Sequence, residues 1–342
     1  MDYLIKINVL IAWKLWRESM KTQLSAVLNR QVITLLLLVG SNSYAQPGVP
    51  ASQQTTEGMQ TIASEDDLPG VNFESDIVYA NYDEMNVILH LVTPQQLRNA
   101  EPVPLVVYVP GSAWFPQNLA RSVPRMIDFA EQTGYAVAIV QYRPSTVAKS
   151  PAQLVDIKAS IRYLRANADR YDIDPERVAI WGTSSGGHMA SMVGVTQGIE
   201  KFNTAENGEF SSNVSAVIDF FGPTDFQKMS DYPSIMNHDE PTSPESSVIG
   251  GPIQDPANQA KVDEYNPITY VVANRDIPPF LIMHGDVDPL VPFNQSLILF
   301  EALRKAGHEA HFYKLTGAGH GDRFFTPQTY GIMLDFLASH FQ

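Results

Sequence analysis

The chain has 342 residues, 44% hydrophobic and 18% charged, the balance of a folded globular protein and not of a disordered one. A formal net charge of −14 repels phosphate, so nucleic acid and anionic membrane surfaces are set aside as partners, while glycans and uncharged esters stay compatible. There is no cysteine, which excludes disulfides, thiolate metal sites and cysteine nucleophiles.

The N-terminus has the layout of an export signal. Met20-Lys21 and Arg30 flank the apolar run Val32 to Val39, and Ser43-Tyr44-Ala45 supplies small residues for cleavage. Residues 1–45 are expected to be a signal peptide, with Met20 as an alternative start. The mature protein is then secreted or periplasmic and not inserted in a membrane. The run is short for a bilayer span; retention as an uncleaved anchor is the competing reading. Residues 46–70, rich in Gln, Thr, Ser, Gly and Pro, read as a flexible leader, and residues 71–342 as the folded domain.

Within that domain, strands are expected at 87–92, 105–109 and 136–140. Ser150-Pro151 then opens a helix, with Ser150 as its cap and Leu154, Ile157, Ile161 and Leu164 on one buried face. A strand at 178–181 precedes a helix after Gly187. Further strands are expected at 217–221, 280–284 and 310–315, with helices at 296–304 and 331–341. Alternating strands and helices predict a mostly parallel sheet covered on both faces, an α/β fold. Residues 226–270, rich in Pro, Ser and Asp, are the long irregular stretch, read either as a lid or binding loop or as a surface excursion.

Gly182-Thr183-Ser184-Ser185-Gly186 is a G-x-S-x-G pattern between an expected strand and an expected helix. A nucleophilic serine at the tip of such a turn needs a strained backbone, and side chains two residues away on either side would collide, hence the glycines. Ser184 is the candidate nucleophile. Its base must follow an acidic residue in the chain. His320, in the loop Gly317 to Gly321 after the last strand, is the candidate base, with His311 as the alternative. His284-Gly285-Asp286-Val287-Asp288 offers two carboxylates; Asp288, further round the turn, is preferred over Asp286. For the oxyanion, backbone donors are expected at Ser185 and, after the strand at 105–109, at Ser112 and Ala113, since Pro110 has no N–H. Trp114 is expected to line the substrate pocket. No metal or cofactor is called for.

These landmarks resemble the esterases named for bifunctional feruloyl and acetylxylan esterases, near the hormone-sensitive-lipase-like group. The resemblance runs from about residue 72 to the C-terminus. It is carried by Val107 to Trp114, Gln141-Tyr142-Arg143, Asp156 to Leu164, Ala179 to His188, Phe221 to Asp225, Asn266 to Tyr270 and His284 to Pro292. It implies an α/β-hydrolase fold, the triad Ser184, Asp288 and His320, and cofactor-free hydrolysis of carboxylic esters, including decorations of plant polysaccharides. Where the family's oxyanion loop usually reads His-Gly-Gly, this chain reads Pro110-Gly111-Ser112. Tyr142 and Phe221 are expected to face the pocket, and Arg143, Asp156 and Arg162 to brace the serine turn by ion pairing. The competing functions are a dipeptidyl-peptidase-like serine peptidase and a non-catalytic binding module on a hydrolase fold.

Overall fold

Val107 pairs with Ala138 on one side and Ile180 on the other, so the apolar run around it lies in the middle of a sheet. The computed structural model describes residues 70–82, 85–95 and 101–341. The expected signal peptide and the leader up to residue 69 lie outside the described residues. The strands are β1 (Val71–Tyr82), β2 (Met85–Pro94), β3 (Val103–Val109), β4 (Ala136–Val140), β5 (Ile173–Thr183), β6 (Ala216–Phe220), β7 (Phe280–Gly285) and β8 (Ala310–Leu315). They form one eight-stranded sheet in the order β1-β2-β4-β3-β5-β6-β7-β8. β1–β2 and β2–β4 are antiparallel and all other pairs parallel.

The helices are α1 (Val123–Thr133), α2 (Ala152–Ala166), α3 (Ser185–Val195), α4 (Pro244–Ile249), α5 (Gln259–Tyr265), α6 (Asn294–Lys305) and α7 (Pro327–His340). They cover the sheet on both faces. Val107 and Ile180 pack with Leu154, Ile157 and Ile161 of α2 and Met189 of α3 on one side. Tyr108 and Trp181, one residue on in each strand, pack with Phe129 of α1 and Met333 and Leu337 of α7 on the other. Burial on both faces explains why these strands are apolar at every position rather than at alternate ones.

Three expectations are corrected. α2 starts at Ala152 and no side chain caps it, so Ser150 is not its cap; the Ser150 amide instead donates to the Val248 carbonyl. Residues 71–82 and 123–133 form β1 and α1, neither of which was expected. Residues 226–270 are not irregular throughout: α4 and α5 bury Val248, Ile249, Val262 and Tyr265 against the main core. Among the described residues no helix is long and apolar enough to cross a membrane.

The parallel register brings chemistry to one edge. Val109 lies opposite Gly182, and Thr183 opposite Phe220. The segments leaving β3, β5, β6, β7 and β8 therefore emerge side by side at the carboxyl ends of the strands, where α/β sheets place their sites.

Candidate active site

Ser184 stands between β5 and α3 with φ 55° and ψ −126°, a conformation rare for a residue with a side chain. Its amide donates to the Phe220 carbonyl at 2.9 Å and its carbonyl accepts from the His188 amide at 3.0 Å, so both flanks hold the strain in place. The glycines are sterically required. A Cβ on Gly182 would lie 2.0 Å from the Gly186 carbonyl oxygen, and one on Gly186 would lie 1.9 Å from that of Val109.

The structure brings the three expected side chains together. Nε2 of His320 is 3.0 Å from Oγ of Ser184, and Nδ1 of His320 is 2.8 Å from Oδ2 of Asp288. The other Asp288 oxygen accepts from the amides of Leu290 at 2.8 Å and Val291 at 3.0 Å. Burial works to raise the Asp288 pKa, but hydrogen bonds with His284 and His320 outweigh it and hold the carboxyl far below the usual range. Asp288 is thus an anion fixed on the imidazole. Asp286, the other candidate, accepts from the Gly317 amide at 2.7 Å and ties the acid loop to the histidine loop. His311 is exposed on β8 and bonded to Glu309, outside the site. His188, next to the serine turn, is no base either: burial lowers its pKa to about 3, and its Nε2 faces the Tyr265 carbonyl at 2.7 Å.

Beside Ser184 runs the loop after β3. Ala113 and Trp114 both have positive φ, 53° and 58°, so residues with side chains take a conformation that glycine adopts more readily. The amides of Ala113 and Ser185 donate to no protein acceptor among the described residues. Ser185 is the first residue of α3, where the helix leaves its amides unpaired and its dipole favours negative charge. Ser112 is a correction: its amide is already committed to Oγ of Ser185 at 2.9 Å.

The substrate residues divide. Phe221 (φ 46°) lines the cavity, with its ring centroid 4.7 Å from that of His320. Tyr142 does not: it is buried behind the oxyanion loop, its hydroxyl 3.0 Å from Oγ of Ser112 and 3.3 Å from Oγ of Ser185. Trp114 touches the cavity but is 1% exposed, its indole packed against His188 and Phe226. Of the expected bracing group, Arg143 pairs with Asp156 at 2.7 Å, whereas Arg162 bonds Asn203 and Thr204 instead.

The cavity is about 450 Å³. Beyond the residues above, Met236, His238, Pro244 and Glu245 line it from the segment read as irregular, and Arg125 and Phe325 from α1 and the approach to α7. None of these carried a motif in the sequence. His238 and Glu245 are both buried and bonded at 3.1 Å. Among the described residues, no group of three or more His, Asp or Glu side chains is placed to hold a metal ion.

Comparison with known proteins bears on the family and the fold. A truncated carbohydrate esterase from gut microbiota superposes with a TM-score of 0.71 at 32% identity, covering 80% of this chain and 97% of that one. A bifunctional GH43-CE protein of Bacteroides eggerthii gives 0.70 at 35% identity, covering 79% of this chain and 35% of that one. Esterase LipC of Mycobacterium tuberculosis (strain ATCC 25618 / H37Rv) is 26% identical over 229 residues, 65% of this chain and 53% of LipC. The chain thus spans about half the length of the curated relatives it matches. The architecture is the α/β-hydrolase fold, and the BD-FAE family model matches residues 89–303, so the chain belongs to the BD-FAE family.

Proposed function

We propose that this chain is a serine carboxylic-ester hydrolase that works through an acyl-enzyme. The observation that carries the reading is the hydrogen-bonded series Ser184–His320–Asp288, whose serine and histidine line the cavity. His320 takes the Ser184 proton as Oγ attacks the ester carbonyl, and the Asp288 anion stabilises the imidazolium that forms. The amides of Ala113 and Ser185 receive the developing oxyanion. His320 then protonates the leaving alcohol, and water, activated by the same imidazole, releases the acid.

Short acyl or feruloyl esters on polysaccharides are the proposed substrates. The two structural neighbours, a carbohydrate esterase and a bifunctional GH43-CE protein, support that class. Export to the periplasm or medium is proposed from Val32 to Val39 and Ser43-Tyr44-Ala45, and it fits a polymeric substrate that cannot enter a cell.

The test is a substrate panel of 4-nitrophenyl acetate, butyrate and octanoate, methyl ferulate, acetylated xylan and an aminoacyl-proline amide. The protein is expected to cleave short esters and not the amide, and Ser184→Ala is expected to lose at least about 10³-fold in kcat. Cleavage of the amide alone would point to a peptidase. Inactivity on every member would leave a binding module.

A further inference from the structure

The cavity holds a cation that ester hydrolysis does not use. Arg125 lies in the first turn of α1, half-buried, and lines the same cavity as Ser184 and His320. Its Cζ is 3.4 Å from the centroid of the Phe325 ring. Stacking of that kind occupies one face of the guanidinium and leaves its N–H edge for an acceptor in the plane. The first turn of α1 has no acidic residue. Among the described residues no carboxylate lies within ion-pair distance of Arg125, whereas Arg143, Arg170 and Arg177 each have one. Glu245, the acidic side chain lining the cavity, is already engaged by His238. Arg125 also acts on Tyr108, another residue lining the cavity: burial raises the Tyr108 pKa, and Thr183 and Arg125, the latter by charge and hydrogen bonding, oppose that shift.

In a chain with 37 acidic and 23 basic residues, an arginine without a carboxylate partner among the described residues, lining the cavity of the reacting serine, is notable. We propose that Arg125 binds a carboxylate carried by the substrate away from the scissile bond. This rests on the ester-hydrolase reading and narrows its substrate class. The anion sits on the acyl side, as in a half-ester of a dicarboxylic acid, or on the alcohol side, as in a uronate acylated on one of its hydroxyls. The guanidinium offers such a group two parallel N–H bonds, which a neutral ester cannot use. The net negative charge of the chain does not forbid it, because surface charges are screened over about 8 Å while a partly buried cation acts at contact.

The experiment compares ratios of kcat/KM. On the acyl side, mono-4-nitrophenyl adipate is measured against 4-nitrophenyl hexanoate. On the alcohol side, 4-acetoxybenzoate is measured against its methyl ester. In one pair, Arg125→Gln is expected to cut the charged-to-neutral ratio about tenfold, and Arg125→Lys to cut it less, since a lysine keeps the charge but not the paired donors. The pair that responds identifies the side. Ratios equal in wild type and Arg125→Gln for both pairs overturn the inference. If wild type cleaves no ester, the hydrolase reading fails, and the inference is decided by calorimetry with adipate and 4-hydroxybenzoate. Binding that Arg125→Gln weakens about tenfold upholds it, and absent or unaltered binding overturns it.

Discussion

A Cβ placed on Gly285 would lie 2.2 Å from the carbonyl oxygen of Ala318. Gly285 ends β7 and leads into the acid loop, and Ala318 is two residues before His320, so the carboxylate and the base are set against each other by backbone contact. The amide of Val287 donates to the same carbonyl at 3.2 Å. Gly285→Ala must push the loops apart. A shift of about 1 Å in the base costs on the order of 10²-fold in rate, and overpacking costs about 1–3 kcal/mol in stability. Steady-state kinetics and urea unfolding on the variant check both, and wild-type kcat would show that the contact does not set the His320 position.

Tyr142 acts behind the oxyanion loop rather than in the cavity. Its hydroxyl reaches Oγ of both Ser112 and Ser185, and the Ser185 hydroxyl in turn accepts the Ser112 amide. Tyr142→Phe keeps the buried ring and removes the hydroxyl, loosening the loop that carries the Ala113 amide. A fall of about tenfold in kcat with KM changed less than twofold is expected, because a donor aimed at the transition state contributes little to ground-state binding. An effect confined to KM would return Tyr142 to substrate contact.

The triad was legible because each member lies next to a punctuation mark in the sequence: the paired glycines round Ser184, the Asp288-Pro289 turn, the glycine-rich loop at His320. The interior strands were legible because burial on both faces makes them apolar runs. β1 was hidden for the opposite reason. It is an edge strand whose residues 72–76 are exposed, and its register shifts between Glu74 and Ile77, where Asp76 takes φ 57°, so alternation is lost. Tyr142 lies near the site but behind its wall, whereas Trp114 touches the cavity with most of its indole packed in the core. Sequence adjacency to the loop gave position and not the direction of the side chain. Arg125 comes from α1 and His238 and Glu245 from the 226–270 segment, none within a motif, and tertiary packing alone makes them line one cavity with Ser184.

Asp219 gives a pH signature independent of catalysis. It is fully buried in β6, accepts from Ser191 Oγ at 2.8 Å and the Gly222 amide at 2.9 Å, and burial raises its pKa to about 6. A carboxyl whose folded pKa exceeds its unfolded value of about 3.9 favours the fold when protonated, and that contribution is lost as pH rises through 6. Asp219→Asn cannot ionise. Unfolding free energies of the two proteins at pH 5 and pH 8 should therefore shift in favour of the variant by about 1–1.5 kcal/mol at the higher pH. A gap that stays constant would mean that the carboxylate is fully compensated by its donors.

His238 fastens the 226–270 segment to the acid loop. Its Nδ1 faces Oε1 of Glu245 at 3.1 Å and its Nε2 faces the Leu290 carbonyl at 3.1 Å, and the Leu290 amide holds Asp288. With an acceptor at each nitrogen, both hydrogen bonds form only when the ring is protonated. Burial opposes that state, but the Glu245 carboxylate outweighs it and raises the His238 pKa. The stabilisation is complete below the unfolded value of about 6.5 and is lost as pH rises through the folded one. His238→Gln is expected to cost about 2 kcal/mol at pH 6, where it removes a charged donor from a buried carboxylate, and less at pH 9, toward which the protonated form is depleted. Urea unfolding at the two pH values measures the gap. An equal cost at both would show that neutral His238 holds the segment as well as the charged form, leaving the acid loop insensitive to its titration.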